Sequence, residues 1–294
     1  MATPLTADRL VAALRAEGVK VVEHPGWRGH HRNHKGPWGP VHGVMVHHTV
    51  TGPKVNGVPI CFNGYAQLPG PLCHGVIRRN GEVHLVSDGR ANHAGGGDPN
   101  VLAAVIDERY NDKPPDPHQH DGSAGATDGN RAFYGFECEN LGDGKDPWPP
   151  AQVEAIVRAS AALSRAHGWG AKSVIGHSEW SDWKSDPKGP DNVVSMPSLR
   201  KRIADRLAHP ASWTPGTTPK PPAPKPPTED GMTPGENWSY RNAKADAASV
   251  AAGHGHIPDA YGYLVQTHTL LVRLTATIER LEQRVAQLEG RAQS

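Results

Sequence analysis

Apolar positions recur at helical spacing in three stretches of the chain. Leu10, Val11 and Leu14 follow Thr6, a residue type suited to an N-cap, and the run stops at Gly18. Val153, Ile156, Val157 and Leu163 lie on adjoining faces of a segment opened by Pro150 and closed near Gly168. Leu199, Ile203 and Leu207 follow Pro197 at the same kind of spacing. Between these helices lie shorter runs of strand type. Gly43–Thr49 and Tyr134–Glu139 carry the β-branched and aromatic residues that strands favour, and Ser173–His177 is a short buried-type run. Val76–Val86 places Asn80-Gly81 between two apolar runs, which predicts a hairpin. Strands and helices interleave, so the predicted class is α/β, a central sheet flanked by helices. The Gly-, Asp- and Pro-rich stretch from Asp98 to Arg131 predicts a long surface loop.

The pattern changes after position 208. Nine prolines fall between Pro210 and Pro234, a composition that favours extended polyproline II and a semi-rigid spacer. The expected organisation is a domain over 1–208, a Pro-rich linker over 209–236 and a helical region over 237–294. Within the last part, Leu264, Leu271, Ile278 and Val285 form one heptad series and Thr267, Leu274, Leu281 and Leu288 the other. That seam predicts a coiled coil over 264–291 and a homo-oligomer formed through it.

Composition narrows the function. Among 294 residues, 31 Lys and Arg face 30 Asp and Glu, a net charge of +1, which argues against a nucleic-acid or anionic-membrane binder. No apolar run approaches the ~20 residues that a membrane-spanning helix needs. The N-terminus shows no basic segment followed by an apolar one, so the expectation is synthesis in the cytoplasm without a signal peptide. Cys61, Cys73 and Cys138 are too few and scattered for a disulfide scaffold. Histidine is abundant, with 18 in the chain, and it is the commonest protein metal ligand.

Three segments combine into a candidate metal site. His47 and His48 stand on a strand, where successive side chains face opposite ways, so only one of them serves a given site easily. His177 leaves a short apolar strand, and Asp186 follows nine residues later. Two imidazoles and one carboxylate with an open fourth position make a catalytic type of zinc site. Spacing alone leaves a structural role open for each histidine. Glu137 and Glu139 share one strand face, and alternation does not choose between them as a general base.

Four ordered blocks over roughly residues 40–190 carry a family resemblance. They are Val46-His47-His48-Thr49; His74-Gly75-Val76-Ile77-Arg78-Arg79-Asn80-Gly81-Glu82 running on to Asn92-His93-Ala94-Gly95; Gly135-Phe136-Glu137-Cys138-Glu139; and Gly176-His177-Ser178 with Lys184-Ser185-Asp186-Pro187. The chain resembles the zinc-dependent N-acetylmuramoyl-L-alanine amidases of type 2, relatives of the peptidoglycan recognition proteins. The resemblance implies a mixed central sheet and one zinc ion held by His47, His177 and Asp186. It implies Glu137 as the general base and Lys184 as the group that stabilises the oxyanion. His93 matches a segment lining the substrate groove, with substrate contact and structural hydrogen bonding both open. Trp180 and Trp183 are expected as an aromatic wall for sugar or stem peptide, with packing under the loop as the other role. The implied activity is hydrolysis of the bond between N-acetylmuramic acid and L-alanine in bacterial peptidoglycan, in the modular layout of bacteriophage endolysins. A cytosolic muropeptide-recycling amidase, a non-catalytic recognition module and a mainly structural or assembly protein are the alternatives; recognition modules typically lack a zinc ligand, whereas all three positions are filled here.

Overall fold

The computed structural model describes residues 2–118 and 126–214. The chain divides into two units, Met1–Thr218 and Pro219–Ser294. The linker from 215 onward and the heptad segment lie outside the described residues.

In chain order the elements are α1 (Ala7–Ala16), β1 (Lys20–Glu23), β2 (Gly43–His48), α2 (Gly57–Asn63), β3 (Gly75–Ile77), β4 (Glu82–Leu85), β5 (Gly96–Gly97), α3 (Pro99–Asp107), β6 (Thr127–Asp128), α4 (Gly129–Ala132), β7 (Phe133–Cys138), α5 (Pro150–His167), β8 (Val174–Gly176) and α6 (Met196–Leu207). Thr6 caps α1 by accepting from the Arg9 N–H, and Gly168 closes α5 in the left-handed conformation. Six strands form one mixed sheet in the order β1-β4-β3-β7-β2-β8. β3 and β4 form the antiparallel hairpin turned at Asn80-Gly81, and β7, β2 and β8 run parallel. The expected mixed sheet flanked by helices is therefore present.

Alternation along the strands assigns the two faces. Val44 and Val46 of β2, with Tyr134 and Phe136 of β7, point into the core shared with α1, α5 and α6, where Leu14, Ile156, Leu163, Leu199 and Ile203 are fully enclosed. Met45 and Phe133 point to the opposite side and pack with Ile175, Trp180, Val101 and Val105. By the same period of two, His47 follows Met45 and Glu137 follows Phe133 and Gly135 on this second face.

The stretch from Asp98 to Arg131 is not a plain surface loop. It contains α3, capped by Asp98 with Pro99 in its first turn, and the Val101 and Val105 side chains on one face of that helix are buried. Asp98-Pro99 and the apolar run Val101–Ile106 mark this helix in the sequence, but it is short and set among Gly, Asp and Pro.

Candidate metal centre

The site stands at the carboxyl ends of three adjacent parallel strands. Register places His47 of β2 opposite Glu137 of β7, and Val46 opposite Gly176 of β8, so that His177 emerges beside His47. A short turn over His177–Glu179 sends the chain through Lys184 and back to Asp186. Residues 139 positions apart in sequence thus converge: His47 Nδ1 lies 3.0 Å from Asp186 Oδ2 and 3.0 Å from His177 Nδ1. The third edge, His177 Nδ1 to Asp186 Oδ2, measures 3.3 Å. All three residues are buried.

The outer nitrogens of the two imidazoles settle what the inner ones present. His177 Nε2 lies 3.3 Å from the Ala94 carbonyl oxygen, which accepts only, so the ring hydrogen sits there and Nδ1 is a lone pair. His47 Nε2 lies 3.0 Å from His93 Nδ1. Burial is the main cause that pushes His47 down to about 4, so it is neutral at pH 7. For Asp186, burial alone would raise the carboxyl, whereas a hydrogen bond from either imidazole, or a cation bound once both Nδ1 atoms are bare, holds it well below the usual range. Neutral imidazole and ionised carboxylate are the protonation states of metal ligands. Zinc bonds of about 2.0–2.1 Å at tetrahedral angles place neighbouring ligand atoms about 3.3 Å apart, close to the three edges seen here. Lone pairs gathered this closely repel unless a cation sits among them, so the donor set fits zinc.

Beside the triad runs a cleft of about 330 Å³ lined by Thr49, Cys61, Tyr65, Leu68, Trp183 and Lys184 together with His93, Glu137, His177 and Asp186. Glu137 is partly open to it, while its Oε2 is sealed and without a hydrogen-bond partner. Burial, with a contribution from Asp186 and against that of Lys184, pushes its carboxyl up to about 8. The Lys184 ammonium stands 3.7 Å from the centre of the Trp183 ring, a cation–π contact at the cleft wall.

The two neighbours that sequence could not separate from functional residues have structural partners. Glu139 Oε1 accepts from the Gly57 N–H at 2.9 Å and from Arg78 Nε at 3.2 Å, tying the start of α2 to the sheet. His48 faces away from His47 and accepts from the Lys188 N–H.

Of the two expected substrate contacts, Trp180 is enclosed, and His93 lines the cleft while making hydrogen bonds inside the protein. Trp180 is 0% exposed, packed edge-on to Phe133 at 5.2 Å and seated against Gly97 and Gly129, so it cannot touch a substrate. The turn after β8 carries it under the site, and Trp183, 57% exposed, is the tryptophan in the cleft. His93 is buried with both ring nitrogens engaged inside the protein, to His47 and to the Phe133 carbonyl. Asn130 was not singled out from sequence; its Oδ1 accepts from the His93 and Ala94 N–H groups at 2.8 Å and holds this segment behind the triad. Tyr65 and Leu68 sit in an irregular turn with no pattern to reveal them. All three cysteines are buried and free, and the Cys61 thiol is pushed up by its hydrogen bond with Cys73 and by burial.

No curated protein matches the chain. Among solved structures, an endolysin N-acetylmuramoyl-L-alanine amidase, LysCS, from Clostridium intestinale URNW is similar at 15% identity, covering 64% of this chain and 95% of that one with a TM-score of 0.39. A mutant endolysin from Bacillus subtilis is 18% identical, covering 63% and 99% with a TM-score of 0.37. The catalytic domain of XlyA is 17% identical, with the same coverage and a TM-score of 0.38. The family model described as N-acetylmuramoyl-L-alanine amidase matches residues 37–189, just over half of the chain and the whole span of the converging residues. The chain belongs to the N-acetylmuramoyl-L-alanine amidase family.

Proposed function

We propose that the chain is a zinc-dependent peptidoglycan hydrolase of the endolysin type. It cuts the amide between N-acetylmuramic acid and the L-alanine of the stem peptide. The observation that carries this reading is the convergence of three ligand atoms, His47 Nδ1, His177 Nδ1 and Asp186 Oδ2, at 3.0–3.3 Å beside a partly buried carboxylate. His47, His177 and Asp186 would hold the metal, and the chemistry it would supply is a water acidified to a pKa of about 7 and polarisation of the scissile carbonyl.

The remaining work falls to the chain's own side chains. Glu137 takes a proton from the attacking water and returns it to the departing alanine nitrogen, leaving a free amine and the muramic carboxylate. Its high proton affinity at the buried end of the cleft suits the second of these transfers, and added positive charge beside it favours the first. Lys184 donates to the oxygen that gains charge as the carbonyl carbon becomes tetrahedral. Trp183, Tyr65 and Leu68 offer apolar surface for sugar rings or alkyl stems along the cleft. The Pro-rich stretch and heptad segment support action on an extended wall rather than on soluble fragments.

Mass spectrometry of digested sacculi tests the assignment. Glycan chains of unchanged length together with stem peptides bearing a new L-alanine amino terminus are expected. Shortened glycans, or cuts only within the peptide, would overturn it. Release from soluble muropeptides with none from sacculi would favour the recycling alternative.

A further inference from the structure

We propose that His93 is a positioning residue for the metal centre: it accepts a hydrogen bond from His47 Nε2 and so turns the His47 Nδ1 lone pair toward the metal. This rests on the zinc reading above.

The Phe133 carbonyl oxygen lies 3.0 Å from His93 Nε2 and can only accept, so the His93 ring hydrogen is on Nε2. A His47 that ligates the metal through Nδ1 carries its ring hydrogen on Nε2, which stands 3.0 Å from His93 Nδ1. A neutral His93 ring with its hydrogen on Nε2 has a lone pair on Nδ1. The 3.0 Å contact between that atom and His47 Nε2 therefore has His47 donating. With its hydrogen committed outward, His47 presents Nδ1 bare to His177 and Asp186. The relay runs from a backbone carbonyl through two imidazoles to the site.

The fold makes room for this arrangement. A Cβ at Gly135 of β7 would stand 2.5 Å from His93 Nδ1, so the imidazole lies where that strand has no side chain. The His93 N–H is itself held by Asn130 Oδ1 at 2.8 Å. The ring is thus fixed at its backbone, its outer nitrogen and its face.

The test uses the full-length chain as wild type, His93→Leu, His93→Asn and Gly135→Ala, with zinc affinity read by competition against a chromogenic chelator. His93→Leu and Gly135→Ala are expected to weaken zinc binding by about 10–100-fold, the usual cost of losing a partner of a ligating histidine. His93→Asn should recover most of the affinity, because its Oδ1 stands where Nδ1 stood and accepts from His47. In ¹⁵N–¹H imidazole spectra of zinc-loaded protein, the hydrogen-bonded His47 Nε2–H should persist in wild type and His93→Asn and vanish in His93→Leu. Unchanged zinc affinity in His93→Leu would overturn the proposal, as would an Asn variant no better than the Leu one. A raised KM with unchanged zinc affinity would give the ring to the substrate instead. A wild-type chain that binds no zinc would remove the metal reading first.

Discussion

Replacing Glu137 by Gln separates two consequences of burying one carboxyl. In the folded chain this group is pushed from an ordinary value of 4.5 up to about 8, chiefly by burial. Between those values the unfolded chain has lost the proton while the folded chain still binds it, so stability falls as pH rises through the window. A displacement from 4.5 to about 8 corresponds to a ceiling of about 5 kcal/mol at 1.36 kcal/mol per unit. Water at the cleft mouth and local relaxation lower that to a few kcal/mol. Gln keeps the shape and cannot ionise. In metal-stripped protein, urea unfolding at pH 5, 6, 7 and 8 should therefore show Glu137→Gln gaining on wild type steadily with pH. The other titrating groups are common to both chains and cancel in the difference. With zinc restored, the same variant should retain metal and lose about 10²–10⁴-fold in turnover, the range for a general acid–base group. Parallel stability curves across this pH range would refute the buried-carboxyl reasoning. Full turnover in Glu137→Gln would refute its role as base.

Lys184→Gln should lower kcat by about 10²–10³-fold with little change in KM, because its charge matters where the oxyanion forms; steady-state kinetics on a muropeptide checks this. Glu17→Ala should cost about 3–5 kcal/mol of stability in chemical denaturation, since Glu17 and Arg206 are each 1% exposed and pair at 2.6 Å, and the variant leaves the buried guanidinium with the longer 3.7 Å pairing to Glu154.

The converging triad was legible through the family resemblance, because His47 and His177 stand at strand ends and Asp186 follows in the block Lys184-Ser185-Asp186-Pro187; spacing alone was weak, since the residues are far apart in sequence. Glu137 and Glu139 were not separable by alternation, since both occupy one face; what separates them is tertiary, the Gly57 N–H and Arg78 bound to Glu139 against the cleft beside Glu137. Trp180 and Trp183 are three residues apart, and only the turn after β8 decides that one is enclosed and the other exposed. The His93 relay joins residues 46 positions apart through ring nitrogens, and no local pattern encodes it. β1 escaped because its four residues alternate only between exposed and half-buried positions at the sheet's edge. α3 was legible from Asp98-Pro99 and the apolar run Val101–Ile106, and was missed because the composition of the whole stretch around it is turn-like.

The most direct test of a three-ligand zinc amidase is to add zinc stepwise to metal-stripped protein and count new L-alanine amino termini released from sacculi. Release should rise from a negligible level to a plateau at one zinc per chain, and His177→Ala, left with two ligands, should stay near the baseline. Equal release from the stripped chain, or a wild-type response in His177→Ala, would contradict the account.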